Sequence, residues 1–369
     1  MEQLSNNLEK SLEIDNIFYH AEKLREKSFY PQSLRLFKKA LQGYTKICDW
    51  DGIFHCMLSL GDTYRMVGNF DLAAKSYANA IGLAKKIKDS IKAADAKVGL
   101  GLSLRALGKW KEAIKLIRES RRVYRRKGDS QGLAFTLWAE AGALRIKGDI
   151  IGAIKMFRES YKIFKSLKDV HGVSYCLCGL GGTSRIAGQF RDSLKYYTSA
   201  HRLFSDIKDI FGTAYSYCGT GNAYRMLKDY QSALTNFAKA SRLYKRIGDK
   251  VSYSYTLWSL GTTYKMTGKL NNARNNFIKA MLLFKETKDP RGIVYCRLGL
   301  GEIALLKGRK AAARRHFLAS LYGSTKNSFA VEKCHTITLI SFMNGKLDDG
   351  CYNRLGVKLR FQGLPFNIP

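Results

Sequence analysis

Apolar positions in this chain fall in short stripes set by the helical repeat. In the stretch Ser59 to Asp89, "SLGDTYRMVGNFDLAAKSYANAIGLAKKIKD", the second half places Leu72, Ala73, Tyr77, Ala80, Ile81 and then Leu83 or Ala84 at spacings of three and four, which predicts a helix with one buried face. The first half predicts another helix ending near Gly68, because a glycine can adopt the left-handed conformation that closes a helix. Gly108, Gly148, Gly188, Gly268 and Gly308 occupy the same place in other stretches. Lys228 interrupts that series, so its turn is expected to be strained or different.

The second helix ends before an aspartate that recurs at 49, 89, 129, 169, 209, 249 and 289. Seven acids in one register invite a catalytic reading, but an acid just before a helix accepts hydrogen bonds from its free N–H groups and favours its dipole. Pro290, directly after Asp289, suits the first helical position. Capping therefore accounts for the series.

The period is 40 throughout. It carries Arg25, Arg65, Arg105, Arg145, Arg185 and Arg225, then Lys265 and Leu305. The surrounding segments "GLGLSLRAL", "AEAGALRIK", "GLGGTSRIA" and "GTGNAYRML" look like phosphate-gripping loops when read singly. A nucleotide loop is built once per domain after a strand, whereas a segment repeated at fixed spacing is an architectural unit. Paired glycines such as Gly219 and Gly221 are then expected to admit close approach of neighbouring helices or of a bound chain.

Gly61, Tyr64, Gly68, Ala73, Tyr77 and Ala80, and again Gly261, Tyr264, Gly268, Ala273, Phe277 and Ala280, resemble the tetratricopeptide repeat. Each unit is longer than the family's usual 34 residues and is similar to the long form of Pins-type adaptors and kinesin light chain. The resemblance covers residues 14–326 and implies an all-α, right-handed α-solenoid of about eight 40-residue helix-turn-helix units. Residues 1–13 then flank the array, 327–345 form a capping helix and 346–369 a tail. Phe361 and Phe366 either dock that tail on the array or leave it loose. The family also implies that the first helix of each unit lines the inner, concave wall.

On that wall, residues three and four apart share a face. Stepping back from Arg225 gives Asn222, then Cys218 or Gly219, then Tyr215; Arg185 leads to Gly182, Cys178 and Tyr175, and Lys265 to Thr262, Trp258 and Tyr255. Tyr295 continues the aromatic row in one direction, Phe135 and Trp138 in the other. The expected groove has Arg65, Arg105, Arg145, Arg185, Arg225 and Lys265 along one side and aromatic residues along the other. Arginine suits such a place because its planar fork holds a carboxylate, a phosphate or a carbonyl with two bonds. The alternative is internal pairing. Glu22, Asp62 and Glu302 stand three residues before a rung and could neutralise Arg25 and Arg65, whereas Leu102, Gly142, Gly182, Asn222 and Thr262 occupy that place in the middle.

Charge adds a second reading. Lys and Arg number 63 against 30 Asp and Glu, a formal charge of +33, which attracts polyanions. The sequence thus points first to a non-enzymatic scaffold binding an extended acidic peptide or partner surface. Its alternative is a single-stranded RNA or other nucleic-acid binder whose arginines hold phosphates and whose aromatics stack on bases. "RRVYRRKGD" (121–129) and "GRKAAARRHF" (308–317) are expected on the outer wall as solvated surface. Eight cysteines scattered over the chain, a polar start and no apolar run long enough to cross a bilayer lead to the expectation of a cytoplasmic protein without membrane insertion. Cys176 and Cys178 face different sides of a helix and no histidine joins them, so no metal or other cofactor is expected.

Overall fold

The computed structural model describes residues 2–359 and 361–369, with side chains from residue 9 onward. Eight antiparallel helix pairs run from Glu2–Glu26 with Tyr30–Lys46 to Pro290–Leu306 with Lys310–Lys326. The helix Ala330–Met343 and the single turn Cys351–Arg354 follow, and no strand occurs among the described residues.

Local chemistry sets the boundaries. Asp49, Asp129, Asp169, Asp209, Asp249 and Asp289 each accept the backbone N–H three residues on, and Asp89 accepts those of Ile91 and Lys92. Such a cap contributes about 1 kcal/mol. Each first helix closes on a left-handed residue; where glycine is missing, Ser28 and Lys228 take that conformation at φ 62° and 67°. The turns after the second helices have the same need, and Lys88, Lys168, Lys208 and Lys288 meet it with φ between 53° and 57°.

The core is a column repeating every 40 residues along the second helices. Phe37, Tyr77, Ile117, Phe157, Tyr197, Phe237, Phe277 and Phe317 are all buried. The paired glycines serve this column: a Cβ at Gly219 would overlap the Tyr197 ring of the preceding unit, and one at Gly221 would press on the Phe237 ring of its own.

Each unit rotates slightly on the last, and the rotation brings the solenoid round onto itself. The Trp110 indole donates to the Asn327 carbonyl at 3.0 Å, 217 residues away, and Lys288 pairs with Asp71. Tyr30 is buried in one cluster with Tyr244 and Ile247. Between five and six units therefore complete a turn, and the inner wall encloses its groove.

A disulfide joins Cys334 to Cys351, with Cα atoms 5.9 Å apart, a link that cysteine spacing did not suggest. Beyond it the chain returns to the array. The Lys358 N–H donates to the Ala187 carbonyl, and Phe366 and Ile368 are buried in the core cluster of the last units. Of the two fates open to the tail, docking is the one observed.

Candidate functional site

Two adjoining cavities of about 720 and 300 Å³ lie along the inner wall. Arg105, Gly142, Arg145 and Tyr215 border both. Arg65 and the aromatic Trp138 and Tyr175 also line the larger one, while Arg185, Asn222, Tyr255, Trp258 and Tyr295 line the smaller. Of the residues expected in the groove, Arg225 and Lys265 are the two that border neither cavity, because the tail covers them.

The cationic column divides by what answers each charge. Arg25 is held by Glu22 at 2.8 Å. Arg65 lies 3.4 Å from Asp62, whose carboxylate also accepts the Tyr77 hydroxyl at 2.6 Å. Arg105, Arg145 and Arg185 pair with no carboxylate among the described residues. Arg105 has a long contact, 3.5 Å, to the Ala139 carbonyl and lies over the Trp138 ring at 5.8 Å. The Arg145 Nε, and both Nε and Nη1 of Arg185, are buried without a hydrogen-bond partner.

The residue 37 positions further on, in the next unit, decides the difference. It is Gly142 opposite Arg105 and Gly182 opposite Arg145, and a Cβ at either would run into the guanidinium. Opposite Lys265 it is Glu302, and the two form a buried ion pair. The expectation that Lys265 lacks an internal acid is thus corrected: the acid comes not from three residues back in the same helix but from the next unit, which packing presents to it.

Electrostatics follow. Burial, then the neighbouring Arg145 and Arg65, push Arg105 down to about 10; burial, then Arg185, push Arg225 down to about 9. Both remain protonated at neutral pH, and at Arg105 this leaves the groove with positive charge that no carboxylate among the described residues compensates. Burial lowers Lys265 and raises Glu302, each opposed by the attraction of the other.

Arg225 is fully buried among neutral partners. Its Nη2 donates to the Asn222 Oδ1 at 3.1 Å, its Nη1 to the Asn367 Oδ1 of the tail, and it lies over the Trp258 ring at 5.6 Å. Asn222 is also tied to the Cys218 carbonyl and the Ser259 hydroxyl. Several aromatic hydroxyls are committed as well. Tyr175 donates to Asp209 at 3.0 Å and Tyr255 to Asp289 at 2.8 Å, and burial, then these carboxylates, hold both phenols far above their usual range. Tyr295 accepts from Arg291, which is anchored on Glu332. Tyr215 stacks on Phe211, and no hydrogen bond engages its hydroxyl among the described residues.

Sequence reasoning missed Asn367 and Arg291. Asn367 belongs to no repeat, and Arg291 sits at the start of its helix rather than on the 40-residue column. No cluster of three or more metal-ligating side chains occurs among the described residues. Among the described residues no helix is long and apolar enough to cross a membrane. The basic stretch at 121–129 lies on the outside, where Arg125, Arg126 and Lys127 are exposed.

The model of the tetratricopeptide repeat family matches residues 92–166 and 174–246. No curated protein matches the chain in sequence. Among solved structures, it is similar to a Rap protein complexed with competence and sporulation factor, at 14% identity and a TM-score of 0.60 over 91% of this chain and 99% of that one. NprR in complex with its cognate peptide NprX matches at 17% identity and 0.58, over 90% and 98%. The Rap conjugation gene regulator of plasmid pLS20, in complex with the Phr* peptide, matches at 14% and 0.64, over 74% and 73%. Residues 92–166 and 174–246 are thus tetratricopeptide-type repeats, and the same 40-residue helix pairs, capped turns and aromatic column continue on both sides of them.

Proposed function

We propose that the chain is a non-enzymatic interaction scaffold that binds an extended acidic segment of a partner protein in its central groove. One observation carries this reading: Arg105, Arg145 and Arg185 line cavities on the inner wall, yet no carboxylate among the described residues answers them. A buried donor left without a partner costs about 1–3 kcal/mol, and more for a charged group. A carboxylate entering between the arginines would supply the missing acceptor through charge-assisted bonds. Gly142 and Gly182 keep the approach open. Trp138 and Tyr215 offer apolar faces beside it, and the Tyr215 hydroxyl remains available to a backbone group. The similar structures of a Rap protein, of the pLS20 regulator and of NprR are each complexes with a factor or peptide, which agrees with an inner wall suited to extended chains.

The nucleic-acid reading rests on the net charge, but the exposed arginines of the 121–129 stretch lie on the outer wall, away from the aromatic row. The test is anisotropy with a fluorescein-labelled decapeptide of alternating aspartate and alanine, its asparagine counterpart and a single-stranded oligonucleotide. Capture of the acidic peptide is expected to fall about 100-fold or more in Arg145→Gln/Arg185→Gln, at two charge-assisted contacts of about 1.5–3 kcal/mol each. Equal capture of the acidic and neutral peptides contradicts the proposal, as does an oligonucleotide bound more tightly than either with a steep salt dependence.

A further inference from the structure

The tail does more than cover the last units. Glu302 accepts the Phe366 N–H at 2.7 Å while Lys265 donates to the Phe366 carbonyl at 2.8 Å. One buried ion pair thus reads both polar groups of a single residue, as a receptor for extended backbone does. The next residue is read by its side chain: the Asn367 amide accepts from the Arg225 guanidinium and donates to the Arg225 carbonyl at 2.9 Å. That exchange needs a donor and an acceptor on one planar group, which a carboxamide has and a carboxylate lacks. Phe366 is buried, stacked on Phe361 with ring centroids 4.3 Å apart. Pro369 borders the cavity lined by Arg105, Arg145 and Arg185, so the path of the segment leads into the central arginines.

We propose that residues 361–369 are an intramolecular ligand, and that the pocket they fill, built by Arg225, Trp258, Lys265 and Glu302, takes in trans an extended partner segment with an aromatic residue followed by a carboxamide. The inference rests on the reading of the inner wall as a peptide groove and adds the chemistry of its second half. The segment has neither helix nor strand. It is held near its pocket by the preceding chain, at an effective concentration on the order of millimolar. A partner displaces it only by exceeding that concentration or by also engaging the central arginines. The tail therefore raises the threshold for segments that fill one half of the groove alone.

The probe is the C-terminally amidated nonapeptide FQGLPFNIP, labelled with fluorescein and titrated into the full chain. The full-length variant Phe366→Ala/Asn367→Ala is expected to bind it at least tenfold more tightly than the unmodified chain, and a probe with the same two alanines is expected not to bind. Equal affinity of the two chains overturns the proposal. A second measurement needs no variant. Excess unlabelled nonapeptide at millimolar concentration is expected to speed hydrogen exchange of the Phe366 and Asn367 amides in the unmodified chain more than tenfold, and unchanged protection marks the tail as a fixed part of the fold and overturns the proposal. The probe carries no acidic side chain and its terminus is blocked, so its capture is independent of whether acidic peptides bind at Arg145 and Arg185.

Discussion

The inner wall has two halves built from the same 40-residue unit and finished in opposite ways. At Arg225 and Lys265 the fold supplies partners: Asn222 and Asn367 for the first, Glu302 and the Phe366 carbonyl for the second. At Arg105, Arg145 and Arg185 it supplies no carboxylate among the described residues; where Glu302 would be, glycine stands opposite the first two and Asn222 opposite the third. A charge in the C-terminal half is part of the structure. A charge in the centre is a cost that the folded chain carries until something enters. Arginine at a given register therefore says little until the residue 37 positions further on is read beside it.

The largest expected effect breaks the partnered half. Glu302→Ala leaves the buried Lys265 ammonium without its acid and the Phe366 N–H without its acceptor. Removing one member of a buried pair costs about 3–5 kcal/mol, and urea denaturation should show a loss of that size. A loss below 1 kcal/mol would mean that the pair does not hold this half together.

Acid should act next, again on the partnered half. His335 is buried with its Nδ1 2.6 Å from the Tyr352 hydroxyl. Burial, opposed by Glu332 and reinforced by Arg291 and Arg185, lowers it to about 4. A histidine lowered on folding contributes stability that is complete above its unfolded value near 6.5 and is lost as pH falls through the folded value. Between pH 6.5 and 4 this group should withdraw about 3 kcal/mol, at 1.36 kcal/mol per unit. His335→Gln should flatten the pH profile over that window. Hydrogen exchange should show the Ala330–Met343 helix and the tail loosening before the helix Ser130–Lys147. A variant with the same pH profile as the unmodified chain would remove His335 from the account.

Much of this arrangement was legible in the residues. The period, the aspartate caps, the turn left without glycine at Lys228 and the rung of arginines all arise within one unit, where spacing and local conformation carry the information. What escaped depends on contacts between units. Lys265 finds Glu302 only once adjacent helices are packed in register, and Tyr175 and Tyr255 reach Asp209 and Asp289 across the same boundary. The closure of the superhelix, with Trp110 bonded to Asn327, accumulates from small rotations that leave no local mark. Asn367 lies outside the repeat altogether, so no periodicity could single it out.

The central claim is that Arg145 and Arg185 are kept without partners for a ligand's sake, and the urea stability of the ligand-free Arg145→Gln/Arg185→Gln chain tests it most directly. Removing two half-buried charges that no carboxylate among the described residues answers should leave the fold as stable as before or more stable by about 1–4 kcal/mol, as replacement of ionic groups taken out of water by neutral ones often does. A variant destabilised by 2 kcal/mol or more would show that the fold itself depends on those charges, and would contradict the account.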